Sequence, residues 1–133
     1  MAWSLEKLNR SSLYNALGIK LTHLDLDRCI ASLTPEPAVC WPDHQQPHGG
    51  VLFTLMDTTM ATAVLSGFEP GEGNCATIDL SIQYLAPARE APFVCDTRVE
   101  RRGNKICFVR GEILDAQNDA VAMAQGTFRV MRK

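Results

Sequence analysis

Asp57 is the only charged residue between His48 and Glu69. It sits in the most apolar stretch of the chain, residues 50–66 (GVLFTLMDTTMATAVLS). A helix there puts Phe53, Thr54, Met60 and Ala61 three and four positions away, and three of those four are apolar. An unpaired carboxylate is costly to bury, so it needs a partner, a raised pKa or a task. Thr54 and Thr58 could satisfy it as partners. The tasks open to it are general-base catalysis and nucleophilic attack.

His48-Gly49-Gly50 lies directly before that stretch. Two glycines let a backbone approach a ligand closely. The first N–H groups of a helix have no internal partner, and the dipole there favours negative charge. Alone, the segment reads as a flexible helix start beside a surface histidine. Together with Asp57 it suits attack on an activated carbonyl, with an amide holding the oxyanion. Eight residues of helix span about 12 Å. One helix therefore cannot bring Gly49 and its own Asp57 to the same carbonyl. The pair would have to come from two subunits, which a two-fold dimer supplies twice.

The remaining elements follow from pattern. Residues 4–17 read as a short amphipathic helix capped by Ser4 and closed by Gly18. Residues 19–26 and 28–34 read as short strands, and 35–47, with four prolines, as a loop. Residues 50–66 are apolar nearly all round, as a buried helix is. Residues 76–85 alternate, with Ile78, Leu80, Ile82 and Tyr84 on one face and Thr77, Asp79, Ser81 and Gln83 on the other. Residues 92–101 and 105–114 flank a turn at Gly103-Asn104, and 120–131 form a last strand. Small residues at 120, 122, 124 and 126 would let a helix lie close to the sheet. The expected fold is α+β: one long antiparallel sheet around one central helix, in a single domain over 1–133.

The chain has 133 residues, 46% of them hydrophobic, with a net charge of −2. That suffices for one core and disfavours a strongly basic nucleic-acid binder. Charge is uneven: residues 1–88 carry −5 and residues 89–133 carry +3. The excess is either solvated strand ends or a meeting place for a polyanion. Five widely spaced cysteines without CxxC give neither a disulfide framework nor a zinc site. The N-terminus lacks an apolar signal region, so a cytoplasmic location is expected. Residues 49–68 include Asp57 and five Ser/Thr, which argues against a membrane span.

HGGVLFTLMDTTMATAV followed by ATIDLSIQYLAPAR resembles the hotdog-fold acyl-CoA thioesterases, in the phenylacetate-pathway (PaaI-like) branch. The resemblance covers about residues 35–131. It implies a sheet wrapped round a helix, a homodimer that often pairs into a homotetramer, and hydrolysis of a thioester to acid and CoA without a cofactor or metal. Position by position, it makes Asp57 the catalytic carboxylate and Gly49 the amide that polarises the carbonyl. It places His48 near the sulfur, and Thr77 where a small hydroxyl positions water or the nucleophile. The family's Asn about six residues before the His is absent: Pro42, Asp43 and His44 stand there, with Gln45 or Gln46 as substitutes. Phe53, Met56 and Met60 are candidates for lining the acyl pocket, and Gly50 for contact with the substrate. Arg89, Arg101, Arg102 and Lys105 are candidates for the CoA phosphates. Two alternatives remain: a non-catalytic acyl-CoA binding protein and a hydroxyacyl-thioester dehydratase. The second is disfavoured by the absence of an FPG-type loop.

Overall fold

The computed structural model describes residues 3–42 and 46–133. Its elements in chain order are α1 (Leu5–Leu8), α2 (Ser12–Leu17), β1 (Ile19–Asp25), β2 (Arg28–Leu33), α3 (Gly49–Leu65), β3 (Gly73–Tyr84), β4 (Phe93–Arg102), β5 (Ile106–Leu114) and β6 (Ala120–Arg132). A single 3-10 turn, Pro37–Val39, interrupts the proline-rich loop. The six strands form one antiparallel sheet in the order β1-β2-β4-β5-β6-β3, and α3 packs across it.

The expected N-terminal helix is two helices. Ser4 caps α1 and Ser11 caps α2. Asn9 breaks the run because its side-chain amide pairs with the backbone of Leu21 in both directions, at 2.7 and 2.9 Å. That pairing satisfies β1 beside its register shift. Gly18 ends α2 in the left-handed region (φ 93°), where a Cβ would lie 1.9 Å from the Thr34 carbonyl oxygen.

The core lies between α3 and the sheet. Phe93 and Phe128 are fully buried there with Leu55, Met56 and Met60. Each such side chain contributes about 1.5–3 kcal/mol relative to exposure. Three of the four small residues of the β6 face do as the sequence suggests: Ala122, Ala124 and Gly126 are buried under the helix, while Ala120, at the start of the strand, is exposed. A Cβ on Gly126 would meet Met60 Sδ at 2.8 Å, and one on Gly111 would meet Met56 Sδ at 2.5 Å. The sheet approaches α3 closely because these positions have no side chain.

α3 is not covered all round. Val51, Leu52, Leu55, Met56, Thr59, Met60 and Ala63 face the sheet. Gly50, Phe53, Thr54, Asp57, Thr58 and Ala61 form a stripe that is exposed or half-buried. The sequence reads as all-round burial because this stripe has one charge and is otherwise small or apolar.

β3 lies at the edge of the sheet, paired on one side with β6. Its register shifts between Thr77 and Asp79, so Ile78 is an extra residue in a bulge. The bulge changes the phase of the alternation. Thr77, Leu80, Ile82 and Tyr84 sit opposite Phe128, Gly126, Ala124 and Ala122, which all face the helix. Ile78 points away and is 57% exposed. The expected face of Ile78, Leu80, Ile82 and Tyr84 is thus corrected: Thr77 replaces Ile78 on it.

Candidate active site

His48 is the N-cap of α3. Its backbone is braced from behind, with His48 N–H donating to the Val39 carbonyl (2.9 Å) and Trp41 N–H to the Gln46 carbonyl (2.8 Å). The Trp41 ring stacks on the imidazole with centroids 5.1 Å apart. The Gly50 N–H donates to His48 Nδ1 at 2.8 Å. An accepting Nδ1 assigns the proton of the neutral ring to Nε2, which then points a donor outward.

The first turn of α3 leaves one amide over. Gly50 N–H is taken by His48 Nδ1 and Val51 N–H by the His48 carbonyl (2.8 Å). Gly49 N–H has no partner among the described residues. It is a free donor at the positive end of a seventeen-residue helix, suited to an oxyanion. Gly50 is committed to the cap, so of the two glycines only Gly49 offers its amide.

Asp57 lies two turns further along the open stripe, half-buried. Thr77 Oγ1 on β3 donates to Asp57 Oδ1 at 2.6 Å. This is the partner the isolated carboxylate required. It fixes one oxygen and leaves Oδ2 for a proton or an electrophile. Thr54 and Thr58 are engaged elsewhere: Thr54 Oγ1 donates to the Gly50 carbonyl (2.9 Å), and the Thr58 hydroxyl pairs with that of Tyr14 (2.5 Å). Cys75 also borders this stripe, and burial together with Asp57 pushes its thiol up to about 11, so it is neutral at ordinary pH.

Tyr84, at the far end of β3, donates its hydroxyl to the Gly49 carbonyl at 2.8 Å. Burial pushes the phenol up from its ordinary value, which keeps it a donor. Sequence reasoning placed Tyr84 on one face with Ile78, Leu80 and Ile82 but gave it no role.

The structure separates the other candidates. Phe53 is 38% exposed on the open stripe beside Asp57. Met56 and Met60 are fully buried on the sheet side, seated against Gly111 and Gly126, so within this chain they are core and not pocket lining. Arg102 is likewise committed. Its guanidinium donates to Asp27 Oδ1 at 2.6 and 2.8 Å and to the Ala63 and Val64 carbonyls at 3.4 and 3.0 Å. It therefore caps the C-terminus of α3 and is not free for a phosphate. Arg89, Arg101 and Lys105 are exposed. Arg89 lines a cleft of about 480 Å³ with Pro37, Cys40, Trp41 and Pro42. Arg101 and Lys105 lie at the other end of β4, about 30 Å away at strand rise. Asp43, His44 and Gln45, considered in place of the family's Asn, lie outside the described residues. The backbone of Gln46 is used by Trp41.

A free helix-start amide, an oriented imidazole and a hydroxyl-held carboxylate form one constellation along the open stripe of α3. The family model of the thioesterase superfamily matches residues 47–122, more than half of the chain and all of that constellation. The chain belongs to this superfamily. Two archaeal proteins named as candidate esterases are similar to it. One, from Halobacterium salinarum, is 37% identical over 68% of this chain and 64% of its own length. The other, from Saccharolobus solfataricus, is 33% identical over 65% of this chain and 56% of its own length. The matches thus span less than two thirds of those relatives. Among solved structures, a thioesterase of Haemophilus influenzae superposes with a TM-score of 0.88 at 22% identity, covering 99% of this chain and 93% of that one. The E. coli PaaI protein of the phenylacetic acid degradation operon superposes with a TM-score of 0.80 at 25% identity, covering 96% and 88%. The fold is the hotdog fold, and the PaaI-like resemblance of the motifs is borne out. No helix among the described residues of this superfamily member is long and apolar enough to cross a membrane.

Proposed function

We propose that the chain is an acyl-CoA thioesterase, acting as a homodimer that hydrolyses a fatty-acyl or aryl-acyl CoA ester to the free acid and CoA. The free Gly49 N–H beside the committed Gly50 N–H carries this reading. The thioester carbonyl oxygen accepts from Gly49 N–H. Asp57 of the second subunit takes a proton from water through Oδ2 while the water oxygen attacks the carbonyl carbon, or the carboxylate attacks that carbon itself and water hydrolyses the resulting acyl–Asp57 anhydride after the thiol has left. The tetrahedral oxyanion stays on the Gly49 amide. The C–S bond then breaks, and the departing sulfur lies next to the Nε2–H of His48. Thr77 holds Asp57 in place, and Phe53 meets the acyl group.

Three observations support a second copy in the site. Gly49 and Asp57 of one chain are about 12 Å apart along α3. The stripe carrying both is open, and the outer edge of β3 is unpaired among the described residues. With two α3 helices antiparallel, the C-terminal end of one lies beyond Gly49 of the other. Arg89 of one subunit and Arg101 and Lys105 of the second then reach the same end, where CoA phosphates would lie. The domain is proposed to run through the whole of 1–133, and pairing of dimers into a tetramer is compatible with the free outer sheet face.

The test is complementation. Asp57→Ala and Gly49→Pro are each expected to lose at least a hundredfold in turnover on a panel of acyl-CoA esters. After mixing and subunit exchange, hybrid dimers hold one intact site, and about a quarter of wild-type activity should return. Turnover surviving Asp57→Ala, or an inactive wild type across the panel, defeats the proposal. Inactive mixtures that contain hybrid dimers defeat the shared site.

A further inference from the structure

We infer that Tyr84 is a positioning residue for the proposed oxyanion donor, clamping the Gly49–Gly50 peptide so that the Gly49 N–H is presented in a fixed direction. The inference rests on the thioesterase reading for its catalytic consequence and on geometry for its mechanism. The peptide between Gly49 and Gly50 is held at both ends: its carbonyl accepts from Tyr84 Oη (2.8 Å), and its N–H donates to His48 Nδ1 (2.8 Å). A pair of glycines is the least constrained dipeptide the chain could place at a helix start. Two side-chain hydrogen bonds on one peptide remove that freedom without using the neighbouring amide. The Tyr84 ring also closes one side of the residue, since a Cβ on Gly49 would lie 3.6 Å from its Cζ.

The same strand thereby tethers both ends of the open stripe. Thr77 holds Asp57, and Tyr84 holds Gly49. In the two-subunit site these tethers act on different carbonyls, so each β3 sets the donor of one site and the carboxylate of the other. Preorganised donors cost no reorientation at the moment of reaction, which is where such a clamp acts. Tyr84 itself need not touch substrate.

Tyr84→Phe keeps the ring and removes the donor. The expected result is a fall in kcat of about tenfold, with KM within about twofold, as for loss of one neutral hydrogen bond of about 1.4 kcal/mol. With glycine-selective 15N labelling, the Gly49 and Gly50 amide signals should move and the Gly50 amide should exchange faster. Unchanged kcat and unmoved amide signals overturn the clamp. A rise in KM with unmoved amides also overturns it, because Tyr84 would then be a substrate contact. In the wild type, Gly50 should exchange far more slowly than Gly49, and equal rates overturn the geometry even if Tyr84→Phe does not fold. An inactive wild type refutes the hydrolase reading alone, since the amide measurements report on the clamp independently.

Discussion

Replacing Gly49 with proline removes one hydrogen and disturbs little else. Proline favours the first position of a helix, where its missing N–H would have no intrahelical partner. His48 has φ −55° and ψ 141°, the extended conformation a residue before proline adopts. The nearest atom to a Cβ on Gly49 is Tyr84 Cζ at 3.6 Å, an ordinary contact. The substitution also narrows the unfolded ensemble, so stability should hold or rise by about 0.4–1 kcal/mol. Turnover should fall by about 10²–10³, or about 2.7–4 kcal/mol of transition-state stabilisation. Gly49→Ala is the control: it gains the same Cβ, keeps the N–H, and should stay within about threefold of wild type by the same reasoning. The measurements are thermal unfolding and steady-state hydrolysis of acyl-CoA esters followed with a thiol reagent. A well-folded Gly49→Pro protein with turnover within tenfold of wild type would refute the Gly49 amide as the oxyanion donor.

Arg102→Gln should destabilise the fold by about 2 kcal/mol, through loss of charged hydrogen bonds to Asp27 and the end of α3. Denaturant unfolding would show this, while KM of the folded fraction stays unchanged. Gly126→Ala should cost about 1–3 kcal/mol by overpacking against Met60 and Phe128, and a lower denaturant midpoint at constant slope would show it. Cys29 gives a pH dependence. Burial pushes its thiol from 9.0 to about 12, so folding favours the neutral form. That contribution is full below about pH 9 and is lost as pH rises towards 12, at up to about 1.4 kcal/mol per pH unit. Unfolding free energies between pH 8 and 10.5 should slope downward, and Cys29→Ala should remove about one proton from that slope.

Much of the fold was legible because its signals are local. Gly18, the Gly103-Asn104 turn and, on the small face of β6, Ala122, Ala124 and Gly126 each fall where the pattern put them. The lone charge of Asp57 marked the candidate site for the same reason: nothing else within 49–68 is charged. The misreadings all involve partners distant in sequence. Asn9 is drawn to Leu21, and Arg102 to Asp27 and the end of α3. Met56 and Met60 share a helix with Asp57 but face the glycines of β5 and β6. A helical wheel without a sheet cannot show which side of an apolar helix is covered. The role of Tyr84 was hidden by phase, since alternation put Thr77 and Tyr84 on opposite faces.

The bulge at Ile78 therefore takes one residue out of the count along β3. Thr77 and Tyr84 are seven residues apart, an odd interval that strict alternation would send to opposite sides of the sheet. The bulge leaves Ile78 out of the paired ladder and so restores a common side, and its side chain, turned outward, has no part in the matter. Many residue types could stand at 78 without harm, and removing that position would leave Thr77 and Tyr84 six residues apart on a regular strand, still on one side. Lineages descended from such a sequence should vary freely at this point of β3 both in the letter and in its presence, because a strand without it keeps both tethers.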